Sequence, residues 1–103
     1  MMIKHRILWK IKEEFRSERK REICQRAKEQ LEGLVGQIDG LIDLAVEVNP
    51  LPSSNADLML DSTLRDEEAL AAYQRNPLHN AVANQFVRPY VCERLCLDYV
   101  IEE

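Results

Sequence analysis

Residues 2 to 11 alternate strictly. Ile3, His5, Ile7, Trp9 and Ile11 fall on one side, and Lys4, Arg6, Leu8 and Lys10 on the other. A period of two with β-branched and aromatic residues describes a strand with one buried face. Such a strand needs a second layer to cover that face, so the rest of the chain must supply one. His5 is the one polar residue on the apolar side.

The covering layer is visible in the next segments. Lys12 to Ser17 reads as a polar connection, followed by a helix over 17–35 with Ser17 as N-cap. Ile23, Ala27, Leu31, Leu34 and Val35 form its inner stripe, bordered by Cys24. Gly36 suits the left-handed position after the helix end. A second strand is expected over 41–48, with Ile42, Leu44, Val46 and Val48 inward. A third is expected over 56–63, with Ala56, Leu58 and Leu60 inward. The turn segment Asn49-Pro50-Leu51-Pro52-Ser53-Ser54-Asn55 between them predicts a hairpin.

Asp66 is placed to cap a second helix, with Glu67 and Glu68 in its first turn. Pro77 lacks a backbone donor and must interrupt that helix. A further helical segment runs over 78–87, its inner stripe formed by His79, Val82 and Phe86. Pro89 ends it. The last strand is expected over 90–101, with Val91, Leu95, Leu97, Tyr99 and Ile101 on its inner face. The order strand, helix, strand, strand, broken helix, strand predicts one α+β domain over 1–103. Its architecture is a ferredoxin-like, four-stranded antiparallel sheet with the helices on one face.

On the second face of that sheet the pattern collects Leu8, Met59, Cys92 and Cys96. With them go Lys4, Arg6, Lys10 and Arg94, and Asp43, Glu47, Asp57, Asp61 and Asp98. So balanced a face suits solvent first, and a dimer interface with paired charges second.

Composition narrows the functional classes. No apolar run approaches the roughly 20 residues of a membrane helix, and Met1 to His5 shows no signal-peptide pattern, so a cytoplasmic protein is expected. Three cysteines are an odd number, which argues against a disulfide framework. Cys92 and Cys96, four residues apart on a strand, lie too far apart to share a metal ion. Ten of the fourteen Lys and Arg fall within residues 1 to 28. Glu18 and Glu22 interrupt them and no aromatic residue interleaves with the arginines, so a solvated helix face is expected rather than nucleic-acid binding. There is no Gly-rich phosphate loop and no Gly-x-Ser-x-Gly elbow.

Several stretches resemble the stress-responsive A/B barrel (Dabb) family. They are Ile3-Lys4-His5-Arg6-Ile7-Leu8-Trp9-Lys10, Gly40, Val48-Asn49, Asp57-Leu58-Met59-Leu60, Ala69-Leu70-Ala71-Ala72-Tyr73-Gln74, Pro77-Leu78-His79 and Asp98-Tyr99. The resemblance spans about residues 2 to 101. It implies a dimeric α+β barrel, a homodimer joined through the sheet faces. It also implies a pocket for a small apolar or polyketide-like ligand. One plant member of the family is a polyketide cyclase with a catalytic tyrosine and histidine around the helix break, which correspond to Tyr73 and His79. The first-strand histidine, His5, belongs to the same pocket. Where the family commonly reads His-Pro-x-His, this chain has Asn76, which hydrogen-bonds but does not titrate.

The residues themselves allow the same chemistry. A neutral imidazole can take a proton from carbon next to a carbonyl, and a tyrosine hydroxyl can polarise the enolate oxygen, with neither metal nor cofactor. The structural alternative is a satisfied core histidine at His5, a His79 that bridges backbone freed by Pro77, and a Tyr73 that is simply core. The two readings predict different interiors. A cofactor-free lyase or cyclase needs an open cavity around His5, Tyr73 and His79, whereas a non-enzymatic stress-associated or interaction protein would fill it with Trp9, Phe86 and Leu70.

Overall fold

The computed structural model describes residues 1–101. Strand β1 (Ile3–Ile11) lies at the centre of the sheet, pairing antiparallel with β3 (Leu58–Leu64) on one side and β4 (Val91–Val100) on the other. Strand β2 (Leu41–Glu47) pairs with β3 as the expected hairpin, giving the order β2-β3-β1-β4. Helices α1 (Lys20–Glu32), α2 (Glu67–Arg75) and α3 (Pro77–Phe86) supply the second layer. Ile7, Trp9 and Ile11 of β1 share one buried core with Ile23, Cys24, Ala27 and Leu31 of α1 and Tyr73 of α2. This is the α+β, ferredoxin-like arrangement that the element order predicts.

The start of α1 differs from expectation. Ser17 is not its cap. Glu13–Phe15 form a short 3-10 turn, and Arg19 takes the cap position without a side-chain cap bond. An ion cluster holds this segment instead: Asp57 accepts from Arg16 Nη1 at 2.6 Å and from Lys20 Nζ at 2.7 Å. Asp57 also accepts the Ile11 backbone N–H at 2.7 Å. It therefore belongs to the helix side and not to the sheet's second face. It precedes β3, where strand alternation does not apply.

The break between α2 and α3 forms as the sequence dictates. Asp66 caps α2 by accepting from Ala69 N at 2.8 Å. Asn76 adopts extended backbone, ends α2, and caps α3 by accepting from Leu78 N at 2.8 Å. Pro77 then occupies the first turn of α3, where its missing donor costs nothing. Gly40, at φ +84°, lets the entry to β2 pass under α2, since a Cβ there would lie 2.6 Å from that of Ala69.

Two β-bulges revise the expected faces. One lies between Leu41 and Asp43, so Leu41, Leu44 and Val46 point inward while Ile42 is turned out and 46% exposed. The other shifts the β1–β4 register between Lys10 and Ile11: Ile11 is opposite Val91 but Lys10 is opposite Glu93. Cys92 is the extra residue. Beyond it every β4 side chain changes sides relative to the predicted strand. Val91 stays inward, but Leu95, Leu97 and Tyr99 stand opposite Leu8, Arg6 and Lys4 on the open face. Arg94, Cys96 and Asp98 move to the helix side, opposite Trp9, Ile7 and His5. Val35 is also corrected, being 40% exposed rather than part of the α1 stripe.

Candidate functional site

Three elements converge where β4 passes the α2–α3 break. β1 contributes His5, only 2% exposed. The last turn of α2 contributes Tyr73, fully buried, and the first turn of α3 contributes His79, partly buried. The Tyr73 ring lies 4.2 Å from that of His79 and 6.0 Å from that of His5, centroid to centroid. The structure thus brings together all three residues singled out in the sequence.

A cavity of about 240 Å³ opens beside them. Ile7, Trp9, Ala83, Val87 and Val91 form its apolar wall; His5, Gln74, His79, Arg88 and Arg94 supply its polar groups. Trp9 lines this space without filling it, while Phe86 and Leu70 pack against the core. Tyr73 stands behind His79 rather than in the cavity wall.

His5 is the better organised of the two imidazoles. Its Nδ1 lies 2.5 Å from Asp98 Oδ1, and this bond assigns the Nδ1–H tautomer, leaving the Nε2 lone pair free. Cys96 Sγ donates to the same carboxylate oxygen at 3.4 Å. Strand alternation alone puts Asp98 on the opposite face, and the bulge at Cys92 brings it here.

Two buried polar atoms near the cavity, the Tyr73 hydroxyl and His79 Nδ1, have no hydrogen-bond partner among the described residues. An unpaired buried polar group costs about 1–3 kcal/mol, so the fold carries these two at its own expense. Burial pushes the Tyr73 hydroxyl above the usual tyrosine range, so it stays protonated and able to donate. Burial, and then the nearby charges of Arg88, His5 and Arg94, push His79 down to about 4. His79 is therefore neutral at pH 7 and a weak base.

Metal-ligand chemistry appears at one place. His5 Nδ1, Cys96 Sγ and Asp98 Oδ1 lie within 4.8 Å of one another. Strand alternation alone separates His5 from Cys96 and Asp98, on opposite faces of the sheet, so no such cluster is expected from the sequence. These three groups already bond to each other.

The model of the stress responsive A/B barrel domain matches residues 3–101. No functionally curated protein matches the sequence. Among solved structures, a dimeric protein of unknown function with a ferredoxin-like fold from Bacteroides fragilis superposes with a TM-score of 0.89 at 25% identity, over 97% of this chain and 96% of that one. A Dabb family protein from Mesorhizobium loti gives a TM-score of 0.75 at 20% identity, covering 99% and 98%. The hydroxynitrile lyase of Passiflora edulis gives 0.78 at 13% identity, covering 99% and 94%. With nearly all of its length matched by the family model, and with the fold expected of it, the chain belongs to the stress-responsive A/B barrel (Dabb) family.

Proposed function

We propose that this protein is a homodimer that binds a small molecule in the cavity between the sheet and α2–α3, and that it acts on it as a cofactor-free lyase of the polyketide-cyclase type. The observation that carries this reading is the open cavity itself, flanked by two imidazoles and a buried, unpaired tyrosine hydroxyl. A non-enzymatic protein with its interior filled would need Trp9, Phe86 and Leu70 in that space, and they do not occupy it. A hydroxynitrile lyase is built on the same fold, which at that identity speaks for the scaffold and not for the reaction.

The geometry supports a division of roles. His5 is the base: Asp98 holds its tautomer and orientation, and Nε2 takes the proton from carbon next to a carbonyl. Asp98 is a positioning residue. Tyr73, which keeps its proton, donates to the developing enolate oxygen in a complex in which the His79 ring has turned aside, since Tyr73 stands behind that ring in the free protein. His79, neutral at pH 7, hydrogen-bonds the ligand rather than abstracting a proton. Replacing His79 with alanine should abolish ligand-induced thermal stabilisation, found by a small-molecule screen, while leaving the assembly intact. An unchanged thermal response would remove His79 from the site.

Association through the open sheet face is supported by what the β4 bulge places there. Leu95 and Leu97 are 72% and 63% exposed in the single chain, beside Leu8 and Tyr99. Four large apolar side chains on adjacent strands are more than scattered surface residues. Light scattering should give a mass near twice the 12.0 kDa of one chain. The double substitution Leu95→Glu, Leu97→Glu should reduce it to one. A wild-type monomer at micromolar concentration would refute the dimer.

A further inference from the structure

The cavity's charge is at odds with that of the chain. Acidic residues outnumber Lys and Arg by eighteen to fourteen, yet among the described residues no Asp or Glu lines this cavity, and two arginines do. Asp98 lies behind His5, engaged with its Nδ1.

Neither arginine is matched by a carboxylate among the described residues. Arg88 Nη1 donates to Asn84 Oδ1 at 2.7 Å, and Nη2 to Asn80 Oδ1 at 3.3 Å. Both partners are one and two turns back along α3, and both are neutral amides. They fix the guanidinium without cancelling its charge. Arg94 reaches the same cavity from β4, opposite Trp9, and makes no ion pair with a carboxylate among the described residues. By contrast, Arg16 is matched by Asp57, and Arg6 by Asp61. Two uncompensated guanidinium groups at the edge of an apolar pocket are an arrangement that accepts an anion, since the planar fork matches a carboxylate.

The opposite wall sets the other half of the ligand. Ile7, Trp9, Ala83, Val87 and Val91 offer no hydrogen-bonding side chain other than the Trp9 N–H. At roughly 30 Å³ for a water-sized group, a volume of about 240 Å³ holds a molecule of about eight to ten non-hydrogen atoms.

We infer that the cavity selects a small monocarboxylate with an apolar body, its carboxylate held by Arg88 and Arg94 and its body against Trp9 and Val87. This rests on the reading above that the cavity is a ligand site, and it names the ligand's class. An anion between these arginines also offsets the positive field on His79, whose titration then moves upward from about 4.

The test uses benzoate and its neutral isostere benzamide at constant ionic strength, followed by NMR of the imidazole resonances. The chain has only two histidines, His5 and His79, so both reporters lie in the cavity. Benzoate should shift both resonances, and benzamide should bind at least tenfold more weakly. Arg88→Gln and Arg94→Gln, both at exposed positions, should each weaken benzoate at least fivefold while leaving benzamide unchanged. Equal binding of the two probes would overturn the carboxylate inference and leave the ligand cavity standing. Benzoate binding that neither substitution weakens would overturn it as well. If neither probe moves either resonance, both the inference and the cavity reading fall.

Discussion

Asp57→Asn should destabilise the protein by about 3 kcal/mol, the size expected when one member of a buried charge cluster is neutralised. For a domain of this length that is a loss of roughly 10–20 °C in Tm. Asp57 is 5% exposed and serves three donors at once, Arg16, Lys20 and the Ile11 N–H. Burial by itself would raise its pKa. The bonds from Arg16, Lys20 and Ile11 outweigh that and hold the carboxyl well below the usual carboxylate range. Neutralising it would leave two cations facing each other across a buried site and loosen the entry to α1, which has no side-chain cap of its own. Glu22→Gln is the control. Its partner Arg26 is 3.6 Å away, both side chains are mostly exposed, and the loss should stay under about 0.5 kcal/mol. Urea unfolding of both variants measures the difference; a loss below about 1 kcal/mol for Asp57→Asn would show that the cluster does not anchor α1.

The second large effect is a stability loss in mild acid, carried by His79. Its pKa is about 4 in the folded protein against 6.5 for an unperturbed histidine. Between those values the unfolded chain binds a proton that the native chain does not. Stability therefore holds above pH 6.5, falls as the pH drops toward 4, and levels off below it. The full shift corresponds to about 3 kcal/mol. Carboxylates enter later. Asp57, Asp61 and Glu32 have lowered pKa values, so their contributions persist above their unfolded values of 3.8 to 4.5 and are lost only as the pH falls further. The window from 6.5 to 4.5 thus lies above these carboxylates, and comparison with His79→Gln isolates the share of His79. Urea unfolding at pH 7 and pH 4.5 should differ by about 2 kcal/mol or more in the wild type and by far less in His79→Gln. A wild-type curve that is flat across this range would show that His79 is not held neutral by its surroundings.

These residues were legible to different degrees. Strand β1 was plain, because its five inward residues alternate without interruption and sit between two partners. The α2–α3 junction was equally plain, since Asp66, Asn76 and Pro77 act within a turn of their own position and their roles depend little on the rest of the fold. Tyr73 and His79 could be placed together for that reason, and His5 followed from its side of β1. Asp98, Cys96 and Arg94 could not be found the same way. Their side of the sheet depends on the extra residue Cys92, and a one-residue slip reverses every side chain after it. Nothing in Val91-Cys92-Glu93 marks a bulge, because there is no glycine or proline within it. The same holds for Ile42 in β2. Asp57 was misplaced for a simpler reason: it stands just before its strand begins, where tertiary ion pairing and not alternation decides its direction. Arg88 was visible as a residue, but its braces Asn80 and Asn84 become meaningful only once α3 is seen to run alongside the cavity.

The phase of β4 has a consequence for how such a protein can change over time. One residue at position 92 decides two properties together: which side chains stand beside His5, and which stand on the open sheet face. Removing or adding a residue there would send Leu95, Leu97 and Tyr99 toward the helices and turn Arg94, Cys96 and Asp98 outward. The side chains beside His5 and those on the open sheet face are therefore inherited as a linked pair along this strand. Point substitutions can tune either one alone, but a change in strand length exchanges both in a single step.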